Sequence, residues 1–387
     1  MKKIILLLLL TISTFLHAQP SQTIKKFIKG NIQDKTEAIK ESSDKDAIEL
    51  SGKGLAFVIE NSQFFSDDRD FSTLVIASIL KLPKDKDVLT AYFPTLNSDL
   101  IKIFNIFSDE NVRISVLDKL ELTSSLNNSN EITELLNSYL KNSKEMNKNS
   151  PVTKKIFSCI EKSGNTESFG IVYESWKKNY YSEYKNDVEN ALIVLSSKNF
   201  SETIKVISTS SIREIRDFFN LINKSDKVSN EFKAEIAENA LSMAIHNTED
   251  ISKDMNESVE LQLNSLKTIA DCNWTRATGL TVRYFALAKE EYEKNVLLKE
   301  QFIQVIESIT KLSSSQTALA LSSYLAEINS KTESNIPFEQ SVVISVINSL
   351  GVLGDKAAFD NLLYVTYLNY SDDIKNKARE SLAKLKW

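Results

Sequence analysis

Leu298, Phe302, Val305, Ile306, Ile309 and Leu312 fall at offsets 0, 4, 7, 8, 11 and 14 along the chain. That spacing places all six on one side of a helix of 3.6 residues per turn, and predicts a buried face over about 296 to 312. The pattern returns 41 residues on, where Phe302, Ile303, Val305, Ile306, Ile309 and Leu312 correspond to Val343, Ile344, Val346, Ile347, Leu350 and Leu353. A second helix follows each copy. Leu319, Ala320, Leu321, Ser323, Tyr324 and Leu325 align at an offset of 43 with Leu362, Leu363, Tyr364, Thr366, Tyr367 and Leu368, and Leu135, Leu136, Ser138, Tyr139 and Leu140 give an upstream copy.

Shorter amphipathic runs at 71–82, 99–107, 188–195, 212–222, 232–245 and 258–269 read as helices of the same kind, divided by Ser, Asn, Asp and Lys turns. The expectation is an all-α chain of seven to nine antiparallel helix pairs with a period of 41 to 43 residues. Two polar connectors stand out, 142–150 before Pro151 and the acidic stretch 248–257. An exposed turn is the first reading of each and a hinge or ligand-facing loop the second, and 143–151 is the candidate point for a subdivision of the repeat region.

Composition agrees with long helices. Glycine occurs 8 times and proline 5 times in 387 residues, far below the usual ~7% and ~5%, and sheet-rich folds need both for their turns.

The stretch Gly351-Val352-Leu353-Gly354-Asp355-Lys356-Ala357-Ala358 resembles the turn between the paired helices of HEAT repeats, where a glycine ends one helix and an aspartate caps the next. Asp109-Glu110-Asn111-Val112-Arg113 is similar to that family's acidic residue followed by Val-Arg at a helix start. Val112, Arg113, Val116 and Leu120 also align with Ile374, Lys375, Ala378 and Leu382. The resemblance covers 105–142 and 257–387. It implies a HEAT/armadillo-like α-solenoid over 19–387, a right-handed superhelix whose successive inner helices form a concave surface for an extended partner.

The N-terminus sets the expected compartment. Lys2 and Lys3 precede an apolar run from Ile4 to Leu10, and Ala18 offers a small residue for cleavage, so residues 1–18 read as a signal peptide. The run is shorter than the ~20 residues a spanning helix needs, and no later run reaches that length. Export to the periplasm or cell envelope, with no transmembrane segment after cleavage, is the expectation. The formal net charge of −5 becomes −7 once Lys2 and Lys3 are removed, an unfavourable balance for tracking a phosphate backbone, so nucleic acid is not an expected partner.

Candidate chemistry is sparse. Histidine occurs only as His17 and His246; the first leaves with the signal peptide, and the second sits near the end of a predicted helix, where a histidine favours the negative pole of the macrodipole. Hydrolases of the Ser/His/Asp or Cys/His kind would have to be built on that one residue. Cys159 and Cys272 lie 113 positions apart and read as two free, largely buried thiols. No zinc-ligand spacing and no phosphate-cradling glycine pattern is present, so no metal and no cofactor is expected. The acidic group Asp67, Asp68 and Asp70 precedes a helix and reads as capping.

Tyr173, Trp176, Tyr180, Tyr181 and Tyr184 recur at offsets 0, 3, 7, 8 and 11 beside Lys177, Lys178 and Lys185. Packing between neighbouring helices needs the same spacing and is the first reading. The stripe is nevertheless the best candidate for a partner-binding surface, because aromatic residues with polar tips concentrate at such surfaces.

The leading expectation is a non-catalytic scaffold that binds a protein or peptide partner in the cell envelope. Two alternatives stay open: an envelope enzyme with paired carboxylates, and a factor that handles lipids or outer-membrane proteins.

Overall fold

A computed structural model of the protein describes residues 21–123, 129–143, 150–248, 255–336 and 338–386. The proposed signal peptide at 1–18, most of the 142–150 connector and most of the 248–257 connector lie outside these residues. The described residues are all-α, with 21 helices and no strand. That is more than seven to nine pairs require, because several helices are short.

The chain forms two compact units, divided between Leu195 and Ser196, a point that falls within a helix. In the first unit the helices are α1 (Gln22–Lys29), α2 (Ile32–Glu41), α3 (Asp44–Phe65), α4 (Arg69–Lys81), α5 (Lys86–Tyr92) and α6 (Leu96–Ile106). They continue with α7 (Glu110–Thr123), α8 (Ser129–Ser143), α9 (Pro151–Ser163) and α10 (Thr166–Lys178). Helix α11 (Lys185–Lys198) crosses the division. The second unit holds α12 (Phe200–Thr209), α13 (Ile212–Asn223), α14 (Asn230–Thr248), α15 (Met255–Asp271) and α16 (Thr278–Glu293). It continues with α17 (Lys299–Lys311), α18 (Ser315–Glu333), α19 (Gln340–Leu353), α20 (Phe359–Val365) and α21 (Asp372–Leu382).

Each unit is built in two layers. In the first, α2, α4, α7 and α9 pack side by side in that order, and α1, α3, α6, α8 and α10 form the facing row. In the second, α13, α15, α17, α19 and α21 make one row and α12, α14, α16, α18 and α20 the other. A helix therefore touches its sequence neighbour across the layers and the next helix of its own row. This is a helical-repeat arrangement.

The apolar repeat explains why. Phe302, Val305, Ile306 and Ile309 of α17 are buried, as are Val343, Val346, Ile347 and Leu350 of α19 at the expected offset of 41. Even the small positions coincide, Ser308 with Ser349 and Thr310 with Gly351. Gly351 is required to be small: a Cβ there would lie 2.5 Å from Ser381 Oγ on α21. Leu298 departs from expectation, because α17 begins one residue later and leaves it 64% exposed.

The partner helices correct the expected register. At an offset of 43, Tyr324, 2% exposed, is matched with Tyr367, 75% exposed. Burial instead aligns at an offset of 40: Ala318 with Ala358, Ser322 with Leu362 and Leu325 with Val365 are all buried. The phase of the apolar face governs the register, and the repeated Tyr-Leu letters do not.

Helix starts follow the sequence. Asp68 accepts from the Phe71 N–H (2.8 Å) to cap α4, and Asp109 accepts from the N–H groups of Asn111 and Val112 at the start of α7. Arg113 then donates through Nε to the carbonyls of Phe104 (3.2 Å) and Phe107 (2.7 Å) at the end of α6. Gly354 (φ 65°) closes α19 through a bond to the Leu350 carbonyl, and Asp355 caps the following turn through the Ala357 N–H, as the sequence suggested.

The other helix stops are less obvious. α10, α15, α16, α17 and α18 end at Asn179, Asn273, Asn295, Ser313 and Asn335, each with φ between 50° and 58°. Beyond each asparagine, the next N–H returns to a carbonyl five residues back: Tyr180 to Ser175, Trp274 to Ile269, Val296 to Glu291 and Ile336 to Lys331. Asparagine tolerates the left-handed region better than other non-glycine residues, which lets a glycine-poor chain turn so often.

Polar bonds between pairs keep the repeat spacing. Lys81 Nζ donates to the Ser42 carbonyl (2.9 Å), and the buried Lys119 Nζ donates to the carbonyls of Leu82 (3.2 Å) and Pro83 (3.0 Å). Lys311 pairs with Asp271 (2.7 Å) and Lys331 with Glu293 (3.1 Å). Every one of these spans 36 to 40 residues. In the first unit the lysines neutralise the negative ends of α2 and α4.

Two stability predictions follow from these contacts. Lys119→Met keeps the aliphatic stem but strips two carbonyls of their donor, and should lower stability by about 1–3 kcal/mol in chemical unfolding, whereas the exposed Lys25→Met should change it by less than ~0.5 kcal/mol. Asn273→Ala should cost about 1 kcal/mol in the same assay while Asn273→Gly costs nothing, because only the alanine resists a positive φ.

Candidate functional site

The expected aromatic stripe is not one surface. α10 stops at Lys178 and Asn179 turns left-handed, so the periodic spacing is broken between Trp176 and Tyr180. Tyr173 and Trp176 remain together on α10, with ring centroids 5.9 Å apart and both half-buried. Tyr180 lies in the turn beneath the Lys178 ammonium, which sits 5.7 Å from its ring, and Tyr184 is half-buried in the short 3₁₀ turn Ser182–Tyr184.

Tyr181 belongs to the core. Its hydroxyl donates to the Leu140 carbonyl (3.1 Å) and shares a bond with Ser143 Oγ (2.9 Å), and its ring meets Phe157 edge-on at 5.2 Å. Burial pushes its phenol up from the ordinary range. Packing thus accounts for this member of the stripe.

Carboxylates in the first unit are gathered in an ionic cluster. Lys155 on α9 bonds Asp118 (2.5 Å) and Glu121 (2.7 Å) of α7, and Lys162 bonds the second Glu121 oxygen. Burial favours the neutral acid at Glu121, but the two lysines outweigh it and hold the carboxyl below its usual range. A group so held is a poor general acid at neutral pH. Cys159 lies nearby, buried, with its thiol pushed up to about 12 chiefly by burial and next by Glu121; such a thiol is unreactive. Cys272 is half-buried, and both cysteines are free. His246 is exposed in the last turn of α14.

Among the described residues, no group of three or more His, Cys, Asp or Glu side chains could hold a metal ion, and no helix is long and apolar enough to cross a membrane.

Two places in the second unit carry unusual polar structure. The first is a cleft of about 290 Å³ between the α18–α19 connector and the α20–α21 connector. The apolar residues Ile336, Phe338, Val343 and Ile374 line it together with the polar residues Asn335, Gln340 and Asn369. Tyr370 lines it too, and is fixed by a chain of bonds. Ser322 Oγ donates to the Ala357 carbonyl (2.9 Å), Asn361 Nδ2 to the Ser322 carbonyl (3.0 Å), and Asn329 Nδ2 to the Asn361 carbonyl (3.0 Å). Tyr370 OH then donates to Asn329 Oδ1 (3.0 Å), and Thr332 Oγ1 to Tyr370 OH (2.9 Å). Phe338 is held in turn by the Lys331 ammonium, 5.5 Å from its ring, and by edge-on contact with Tyr324.

The second place is internal. Glu291, in the last turn of α16, is only 4% exposed, and neither carboxyl oxygen has a hydrogen-bond partner among the described residues. Gln262 Oε1, Ser265 Oγ and Tyr284 OH are likewise buried without partners. Burial raises the Glu291 carboxyl to about 7; the Gln262 amide and then Lys294 oppose that, and Glu290 adds to it. Gln262 lies close enough to act on the charge without reaching good hydrogen-bond geometry. Tyr284 is raised by burial and then by Glu291 itself.

Sequence reasoning missed both places. The cleft depends on two connectors that no periodicity describes, and Glu291 is one of many glutamates on amphipathic helices. Comparison with known proteins adds no constraint: no family model matches the chain, and no curated protein matches it.

Tyr370→Phe tests the cleft wall. It leaves Asn329 Oδ1, buried on α18, without its donor and should cost about 1–2 kcal/mol in thermal or chemical unfolding.

Proposed function

We propose that the chain is an exported, non-catalytic binding module of HEAT-like type, which holds a segment of a partner polypeptide of the cell envelope. Two rows of helices in each unit, and the Gly354–Asp355 turn, support the likeness to HEAT repeats. Residues 1–18 support export.

The observation that carries the binding reading is the cleft beside Ile336 and Tyr370. It joins exposed apolar surface to three neutral amides, the mixture that an extended peptide satisfies with side chains and backbone together. Its wall is fixed beforehand by the Ser322-to-Thr332 bond chain, which reduces the ordering cost of binding. The cleft replaces the 173–184 aromatic set as the preferred contact surface, since Tyr181 is committed to the core.

A photo-crosslinking residue placed at position 336 or 369 in the native envelope should yield one discrete heavier species. The same residue at the exposed position 80 on α4 should yield none. No species from 336 and 369, or the same species from 80, would refute this reading.

A further inference from the structure

Charge around the cleft is one-sided. The stretches 333–340 and 366–373, which hold the two connectors that border it, carry four carboxylates, Glu333, Glu339, Asp372 and Asp373, and no Lys, Arg or His. Each of the four is the immediate neighbour in sequence of a residue that lines the cleft, and all four are exposed. The lining itself holds no charged side chain.

Nearby bases do not cancel this excess. Lys331 is bound to Glu293 (3.1 Å), and Lys299 is shared between Glu300 (3.8 Å) and Glu339 (3.7 Å). Lys375, one residue past Ile374, offsets a single charge of the four.

Helix electrostatics explain only part of it. Asp372 and Asp373 sit in the first turn of α21, where the macrodipole favours acids. Glu333 has the opposite setting, as the last residue of α18, where the negative end of the helix disfavours a carboxylate. It acts on Tyr364 through a hydrogen bond, the chief reason that the Tyr364 phenol is raised.

That bond brings a carboxylate to exposed aromatic surface. Tyr364 is 39% exposed and Tyr367, three residues on, is 75% exposed. A ring beside a carboxylate suits lysine or arginine, whose apolar stem lies along the ring while its charge meets the acid. An acidic segment would meet like charge on both connectors.

We infer that the polypeptide segment held at this cleft is basic, with lysine or arginine side chains alternating with apolar ones. In an extended segment, successive side chains face opposite ways. Apolar residues therefore enter the cleft while the basic ones between them reach the exposed carboxylates. The inference rests on the reading of the cleft as a peptide site and adds the chemistry of its partner.

Three dye-labelled nine-residue peptides test it, identical except at four alternate positions filled by lysine, serine or glutamate, with valine and alanine between. Fluorescence anisotropy on titration with the purified chain reads their affinities. In about 0.05 M salt the lysine peptide should bind about tenfold tighter than the serine peptide, with the glutamate peptide weakest. The margin should shrink to about twofold in about 0.5 M salt, since exposed charges are screened. This comparison uses the wild-type chain and depends on no variant. The double variant Asp372→Asn/Asp373→Asn, with an unchanged thermal melt, should cut the lysine advantage about threefold and leave the serine peptide unaffected. Lysine and serine peptides binding alike, or a lysine advantage that the double variant leaves intact, overturns the charge assignment, while the cleft reading stands on the crosslinks from 336 and 369. Failure of every peptide to bind alongside those crosslinks overturns it as well. Failure of every peptide with no crosslinks removes both.

Discussion

A pair of amphipathic helices has more apolar surface than it can bury by itself, and the two units of this protein are organised around that shortage. α17 buries one side against its partner α16 and α18 and another against α15 and α19 in its own row. Each pair is therefore a ligand for the next. The requirement fixes the period, since each pair must present matching surface in the same rotational phase, and it explains why Ser308 and Ser349 are as faithfully placed as the leucines and valines around them.

The polar groups obey the same rule. Lysines bond carbonyls or acids one pair away, and the Ser322-to-Thr332 chain runs between α18, α20 and the connector beyond α20. Such bonds contribute modestly to net stability, but the orphaned carbonyls left by their removal are costly. They select the stacking register among the several that apolar contact alone would tolerate. Where the rule lapses, around Glu291, the interior holds polar atoms that have no hydrogen-bond partner among the described residues.

Much of the architecture was legible because burial has a period. The stripe at 302–309 and its copy at 343–350 are plain in the sequence, and so is the Gly354–Asp355 turn, since its residues have few other uses. Residue letters mislead where helical phase decides burial. Tyr324 and Tyr367 look equivalent in sequence yet occupy opposite environments, and the aromatic spacing from 173 to 184 counted through Asn179, where the helix ends. Asparagine is common enough here that its role as a stop signal does not stand out. The cleft and the buried acid could not be read at all, because both arise from residues of α15, α16 and the connectors that meet only after folding.

Contacts confined to adjacent pairs also bear on how either unit is reached from the unfolded chain. Each addition closes a loop of only about one repeat, so the entropic cost of growth is nearly constant and contact order stays low. Such a body can start from any pair and extend in either direction. A chain emerging N-terminus first could lay α2 against α1, then α4 against α2, consolidating structure behind it while later helices are still being made.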